Sequence, residues 1–199
     1  MFTERPVLWL LPEHLHFHHD HDVKVKVISG TAMKGGAAVP SVTGYVVGPA
    51  GKVVELTPAR DGENVYFHFP PGEEGIYTVT AGTEGGSARL LVEVGHHVHG
   101  DGKALGRGLE ILPLHYHEFR MSDTMELQVL FDGAPVEGAV VYAVSHLHEG
   151  TGYSHRVETG EKGIVKFSFP EKGHWLFAAE VVTETGAKIF ATLVVPGVR

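Results

Sequence analysis

Val65-x-Phe67-x-Phe69-Pro70 returns one hundred residues later as Val165-x-Phe167-x-Phe169-Pro170. Each copy is soon followed by a Gly-x-aromatic step, Gly75-Ile76-Tyr77 and Gly173-His174-Trp175. The spacing holds elsewhere: Trp9-Leu10-Leu11-Pro12 matches Glu110-Ile111-Leu112-Pro113, and Val23-x-Val25-x-Val27-Ile28 matches Met125-x-Leu127-x-Val129-Leu130. A chain that resembles itself at a fixed period folds as copies of one unit. Here each unit has about 100 residues, the size of a small β-sandwich.

The repeated segments alternate apolar and polar residues, as in Val23-Lys24-Val25-Lys26-Val27 and Met125-Glu126-Leu127-Gln128-Val129. Period-two alternation between turn signals such as Pro71-Gly72, Asp61-Gly62 and Asp132-Gly133 reads as half-buried antiparallel strands. No stretch has helical periodicity, and a parallel crossover sheet needs helices. The sequence therefore predicts an all-β fold: two tandem β-sandwich domains, Ig-like or transthyretin-like, each of about seven strands. The first, over 1–95, carries an N-terminal His-rich segment. A His- and Gly-rich linker follows at 96–107, and the second domain covers 108–199. Residues 7–95 and 108–196 are expected to superpose. Phe67, Phe69, Tyr77, Phe167, Phe169 and Trp175 are expected in the cores.

Charge narrows the partners. With 16 basic against 24 acidic residues, the chain carries −8 and has no cationic excess to neutralise phosphates, so nucleic acid is not expected. The longest apolar run near the start, Val7 to Leu11, ends at Pro12, far short of the ~20 residues of a membrane span. The absence of cysteine excludes disulfides, thiolate metal sites and cysteine nucleophiles. Met1 to Pro12 carries Glu4 and lacks a small-residue cleavage site. The chain reads as cytoplasmic, or as a periplasmic mature form whose signal peptide has been removed.

Histidine is the abnormal count. Protonating all fifteen would reverse the net charge from −8 to +7. Six His-x-His pairs occur, at 14/16, 16/18, 19/21, 97/99, 115/117 and 146/148, more than random placement would give. On a strand, residues i and i+2 share a face, so two imidazoles can close on one metal ion. Glu13-His14-Leu15-His16-Phe17-His18 reads as such a strand, with Leu15 and Phe17 toward the core. His14/His16 and His115/His117 both follow a Leu-Pro step and coincide in the repeat at an offset of 101.

His97/His99, with His96, lies in the linker, where a cleft between sandwiches is expected. The junction pair and His115/His117 are expected to share a metal site, with His146 and His148 as further ligands. His14, His16, His18, His19 and His21 would form a second, weaker site or a collecting arm. Asp20, Asp22, Asp101, Glu118 and Glu149 are the neighbouring carboxylates. Imidazole without thiolate suits nickel, cobalt, zinc or copper. His68 reads as a surface strand residue, and His174 as part of an exposed turn.

Catalytic motifs are missing. Met121 and Gly152 stand where the second His of H-E-x-x-H would follow His117-Glu118 and His148-Glu149. There is no G-x-S-x-G elbow and no P-loop. The expected role is binding, not catalysis.

Leu109 to Leu114, Leu127 to Val141 (with Gly133-Ala134-Pro135-Val136-Glu137-Gly138-Ala139), Gly160 to Phe167 and Gly173-His174-Trp175 resemble a bacterial family of uncharacterised domains. That family is associated with the periplasmic part of nickel and cobalt uptake transporters. Trp9-Leu10-Leu11-Pro12 is similar to its mature N-terminal signature. The resemblance implies a periplasmic accessory that delivers nickel or cobalt to a membrane metal transporter. The alternative from the residues alone is an adhesion or carbohydrate- or protein-interaction module with surface histidines.

Overall fold

The computed structural model describes residues 5–199; Glu4, invoked above against a leader, lies outside them. The chain is all-β. Its first half holds β1 (Val7–Pro12), β2 (Val23–Thr31), β3 (Lys34–Ala37), β4 (Thr43–Val47), β5 (Val53–Leu56), β6 (Ala59–Asp61), β7 (Asn64–Phe69), β8 (Gly75–Thr83) and β9 (Gly86–Val94). Its second half holds β10 (Leu109–Leu114), β11 (Thr124–Phe131), β12 (Ala134–Pro135), β13 (Val140–Ser145), β14 (His155–Glu158), β15 (Ile164–Ser168), β16 (Gly173–Val182) and β17 (Lys188–Val198). One 3-10 turn covers Glu161–Gly163. Among the described residues no helix is long and apolar enough to cross a membrane.

Three sheets form. An eight-stranded sheet runs β14-β13-β16-β17-β9-β8-β4-β5. A layer of β1, β2, β7 and β6, with β3 on β2, covers one face; a layer of β10, β11 and β12, with β15 on β11, covers the other. The pairing order is the same in both halves: β5-β4-β8-β9 against β14-β13-β16-β17, and β1-β2-β7 against β10-β11-β15. The two four-stranded halves of the large sheet join through a parallel pair, β9 on β17, in which Leu90 faces Val194.

Alternation decides which side chains reach which layer. Leu90, Val92 and Val94 of β9 and Val194 of β17 pack under the first layer. Leu91 of β9 and Leu193 and Val195 of β17 pack under the second. Strands β9 and β17 are therefore covered on both faces, and their sequences run almost continuously apolar where the outer strands alternate. In β2 the pattern is half-buried, with Val23, Val25 and Val27 inward and Lys24 and Lys26 outward. The six aromatics expected in the cores are buried: Phe67, Phe69 and Tyr77 in one, Phe167, Phe169 and Trp175 in the other.

Two charges sit inside the seam. Arg89 of β9 and Glu110 of β10 form an ion pair with both side chains buried. Glu110 also accepts hydrogen bonds from the backbone N–H groups of Leu105 (2.8 Å) and Gly106 (3.0 Å). Burial lowers the Arg89 guanidinium to about 10, against the raising effect of Glu110. Arg89 therefore stays charged at neutral pH.

The segment between the halves is tied down along its length. Gly100 and Tyr116 exchange two backbone hydrogen bonds (3.0 and 2.7 Å), and Gly102 donates to the Pro113 carbonyl at 3.0 Å. Lys103 donates its backbone N–H to the Thr78 hydroxyl at 2.9 Å.

Candidate metal centre

Strand β9 ends at Val94, and Gly95 turns the chain out of the sheet with φ +102°, a left-handed value that glycine adopts without strain. His96 to Gly100 then pass over the end of the seam. From the other side come residues 13–22 and residues 115–118. These three segments line a cleft of about 830 Å³ that includes His16, His18, Glu93, His96, His97, His99, His115, His117 and Glu118. Seven of the fifteen histidines thus reach one cleft from positions up to 101 residues apart.

The histidines do not lie on strands as expected. Residues 13–22 are bends and turns with a single bridging residue, Phe17. Phe17 donates its N–H to the Glu93 carbonyl (3.3 Å) and accepts from the Gly95 N–H (2.9 Å), and its ring is buried. Leu15, expected inward beside it, is 43% exposed. One anchored aromatic therefore fixes this segment, and no alternating strand face forms. Similarly, β10 stops at Leu114 and His115 adopts φ +53°, so His115 and His117 flank the buried Tyr116 outside the strand.

A similar backbone contact recurs at the end of β17, at a spacing of 102 residues. Phe119 takes the Phe17 role: it accepts from the Arg199 N–H at 3.1 Å, at the end of β17, as Phe17 does from Gly95 at the end of β9. Phe17 and Phe119 are 102 residues apart, so by this contact His16 stands level with Glu118, one residue off the 101 spacing of His14/His16 and His115/His117. One extra residue between Pro113 and Phe119, relative to Pro12 and Phe17, makes the difference.

His16 and Glu118 meet. His16 Nε2 stands 2.9 Å from Glu118 Oε1. With Glu93 they form a group whose candidate ligand atoms all lie within 4.8 Å of one another, the one such group among the described residues. Ligand atoms bound to one ion at ~2.0–2.1 Å are at most ~4 Å apart, so small side-chain movements would close the group on a metal. Arg199 Nη2 lies 3.0 Å from Glu118 Oε1 and 3.2 Å from His16 Nε2.

Glu93 is 8% exposed, and its carboxylate has no hydrogen bond or ion pair among the described residues. Burial first, and then the charge of Glu118, raises its carboxyl to about 7, while Arg199 pulls it down. A carboxyl raised on folding stabilises the fold fully below its unfolded value, and that contribution is lost as pH rises through about 7. Tyr116 is likewise raised, by burial first and then by Glu93 and Glu118.

The other histidines of the cleft are placed but less closely gathered. His117 donates Nδ1–H to the His115 carbonyl at 2.8 Å, which fixes the tautomer and leaves the Nε2 lone pair available. The His115 N–H bonds Asp101 Oδ1 at 2.7 Å, and its ring Nδ1 is 3.7 Å from the same oxygen. The His18 and His96 rings are 5.3 Å apart. His97 has φ +54°.

Five predicted ligands fall outside the cleft lining. His14 borders a shallow crevice beside it, and His19 and His21 are exposed, with His21 Nδ1 2.9 Å from Asp20. His146 and His148 follow β13 elsewhere. His146 Nδ1 accepts the His174 N–H (2.9 Å), and His174 Nδ1 accepts the Gly197 N–H (3.0 Å). In the neutral rings the remaining proton then sits on Nε2, so neither keeps a free lone pair for a metal. His174, expected in an exposed turn, is half-buried in β16 beside a bulge between Gly173 and Trp175. His68 is exposed on β7 as expected.

This second pair gives a pH prediction. Burial, then the charge of His146, holds His174 below the usual imidazole value. The stability it contributes is present above ~6.5 and is lost as pH falls, because a protonated Nδ1 cannot accept from Gly197. Wild type is expected to lose more urea resistance between pH 7.5 and 5.5 than His174→Asn, whose amide oxygen accepts at either pH. Equal losses would show that the His174–Gly197 bond is not the titrating element.

Glu93 carries a signal in the sequence that the spacing of histidines does not reveal: with Arg89 it is a charge inside the apolar run Ala88 to Val94. Arg199 carries none.

Fold and site together define an all-β chain with a histidine- and carboxylate-lined cleft at the seam of its large sheet. A family described as a domain of unknown function (DUF4198) matches residues 85–183, from the start of β9 to the end of β16. No curated protein matches the chain. Among solved structures it is similar to the Lin-41 filamin domain, at 18% identity and TM-score 0.37, over 47% of this chain and 94% of that one. It is similar to Salmonella alpha-2-macroglobulin reacted with methylamine, at 11% identity and TM-score 0.38, over 97% of this chain but 14% of that one. The D0-D1 domain of intimin matches at 13% identity and TM-score 0.31, over 94% and 96%.

Proposed function

We propose that this protein binds a divalent transition metal ion in the seam cleft and acts as a carrier, without catalysis. The observation that carries the reading is the convergence of seven histidines and two carboxylates from three separated segments. Imidazole and carboxylate together suit nickel, cobalt, zinc or copper. The reading takes the two halves as copies of one sandwich, because their pairing orders agree and their equivalent strands β9 and β17 pair at the centre. On this reading the halves are related by a half-turn about an axis along these parallel strands, which accounts for the layers covering opposite faces. Such an axis brings equivalent loops, those holding His16 and Glu118, to one place.

The resemblance noted above extends the reading to a periplasmic accessory that buffers nickel or cobalt and passes it to a membrane transporter. Deleting the gene in its host and measuring cellular nickel and cobalt tests that extension; unchanged content overturns it.

Isothermal titration of tag-free protein with Ni, Co, Zn and Cu salts tests the binding itself. Saturable binding is expected at pH 7.5 and weaker binding at pH 5.5, since imidazole must lose its proton to ligate and does so near ~6.5. No binding by any of the four ions, or equal affinity at both pH values, would remove histidine-based metal binding as the function.

A further inference from the structure

Resting on the reading of the cleft as a metal site, we infer that the tight site within it is His16, Glu93 and Glu118, and that Arg199 holds the cation position until metal displaces it. The histidines of the linker and of residues 115–117 then form an outer ring that collects ions.

Three observations converge. First, the contacts around His16 Nε2 conflict. At 2.9 Å from Glu118 Oε1, Nε2 must carry a proton to make a favourable contact. At 3.2 Å from Arg199 Nη2, which can only donate, it must carry a lone pair. Either protonation state mispairs one neighbour. A metal ion in place of the guanidinium resolves this, because Nε2 and both carboxylates then all act as donors to one cation. Second, Glu93 is 8% exposed as a residue, and its carboxylate, whose oxygens open on the cleft, has no hydrogen-bond partner among the described residues. Burying an unpaired carboxylate is costly, and a bound cation offsets that cost. Third, this is the one group among the described residues whose ligand atoms already lie within 4.8 Å of one another. The outer histidines do not meet that condition.

Arg199 makes the site self-occupied. Its backbone N–H bonds the Phe119 carbonyl and its carbonyl accepts from the Met121 N–H (2.6 Å), and its guanidinium borders the crevice beside the cleft, against Glu118 and His16. The side chain is 59% exposed, so it can swing into solvent as a metal enters.

The test is metal titration of four variants at pH 7.5, using zinc and nickel salts. Glu93→Gln is expected to weaken the tightest binding at least ~100-fold, the upper end of what even an outer-sphere change costs. His16→Ala, on an exposed segment, should also lose the tight site and serves if Glu93→Gln does not fold. The quadruple variant His97→Ala, His99→Ala, His115→Ala, His117→Ala should stay within about 10-fold of wild type, because it spares all three ligands. Arg199→Ala should bind more tightly than wild type.

Metal binding by wild type with Glu93→Gln and His16→Ala within ~10-fold of it would overturn this assignment and leave the broader reading standing. So would a quadruple-variant loss as large as that of Glu93→Gln. Weaker binding by Arg199→Ala would overturn the displacement. Failure of wild type to bind any ion would overturn the broader reading itself.

Discussion

Replacing Arg89 by Met while leaving Glu110 in place is expected to destabilise the fold by about 3–5 kcal/mol. Both side chains are buried, and Glu110 would remain as an uncompensated carboxylate beneath the second layer. It would keep only the N–H donors of Leu105 and Gly106. The double variant Arg89→Met, Glu110→Gln removes both charges and keeps an acceptor, the single amide oxygen, for one of those two N–H groups. It should recover most of the loss, because breaking a buried pair costs far more than replacing it. Urea unfolding midpoints of the two variants decide the matter. A single variant as stable as wild type, or a double variant no better than the single, would show that the pair does not support the seam.

The second large effect is at Phe17. Its ring is buried at the end of β9, and its backbone bridges the middle of residues 13–22 to Val94 of that strand. Phe17→Ala is expected to cost about 3 kcal/mol through the cavity it leaves. Metal affinity should fall with it, because His16 and His18 are then no longer held over Glu93. The Gly95 amide, which donates to the Phe17 carbonyl, reports the detachment by faster hydrogen exchange. Unchanged affinity together with an unchanged Gly95 exchange rate would mean that this anchor does not position the site.

The strand pattern was legible because most strands have one solvated face. Val23-Lys24-Val25-Lys26-Val27 announces its register directly, and the Phe-x-Phe-Pro repeats reported the core positions. The continuity of the large sheet was not legible. Leu90-Leu91-Val92 and Leu193-Val194-Val195 break the alternation because layers cover both faces, and a short apolar run does not say what covers it. For the site, the His-rich segments around His97 and His115 do share a cleft, and His16 and His18, expected in a separate arm, line the same cleft. Spacing misjudged the side-chain directions. Counting i, i+2 assumes a strand, whereas anchors at Phe17 and Tyr116 set the local geometry. Glu93 and Arg199 escaped notice because strand pairing brings them to the histidines, and pairing between distant strands leaves little trace in a single sequence.

The parallel joint between β9 and β17 also sets an order of events during synthesis. About a hundred residues must be added after β9 before its partner exists. Until then β9 has an open hydrogen-bonding edge, and Arg89, Leu91 and Glu93 lack both the seam and the layer that will cover them. The half-made chain therefore exposes an adhesive strand throughout translation of the second half. The faster the second half is made and folded, the shorter that exposure lasts.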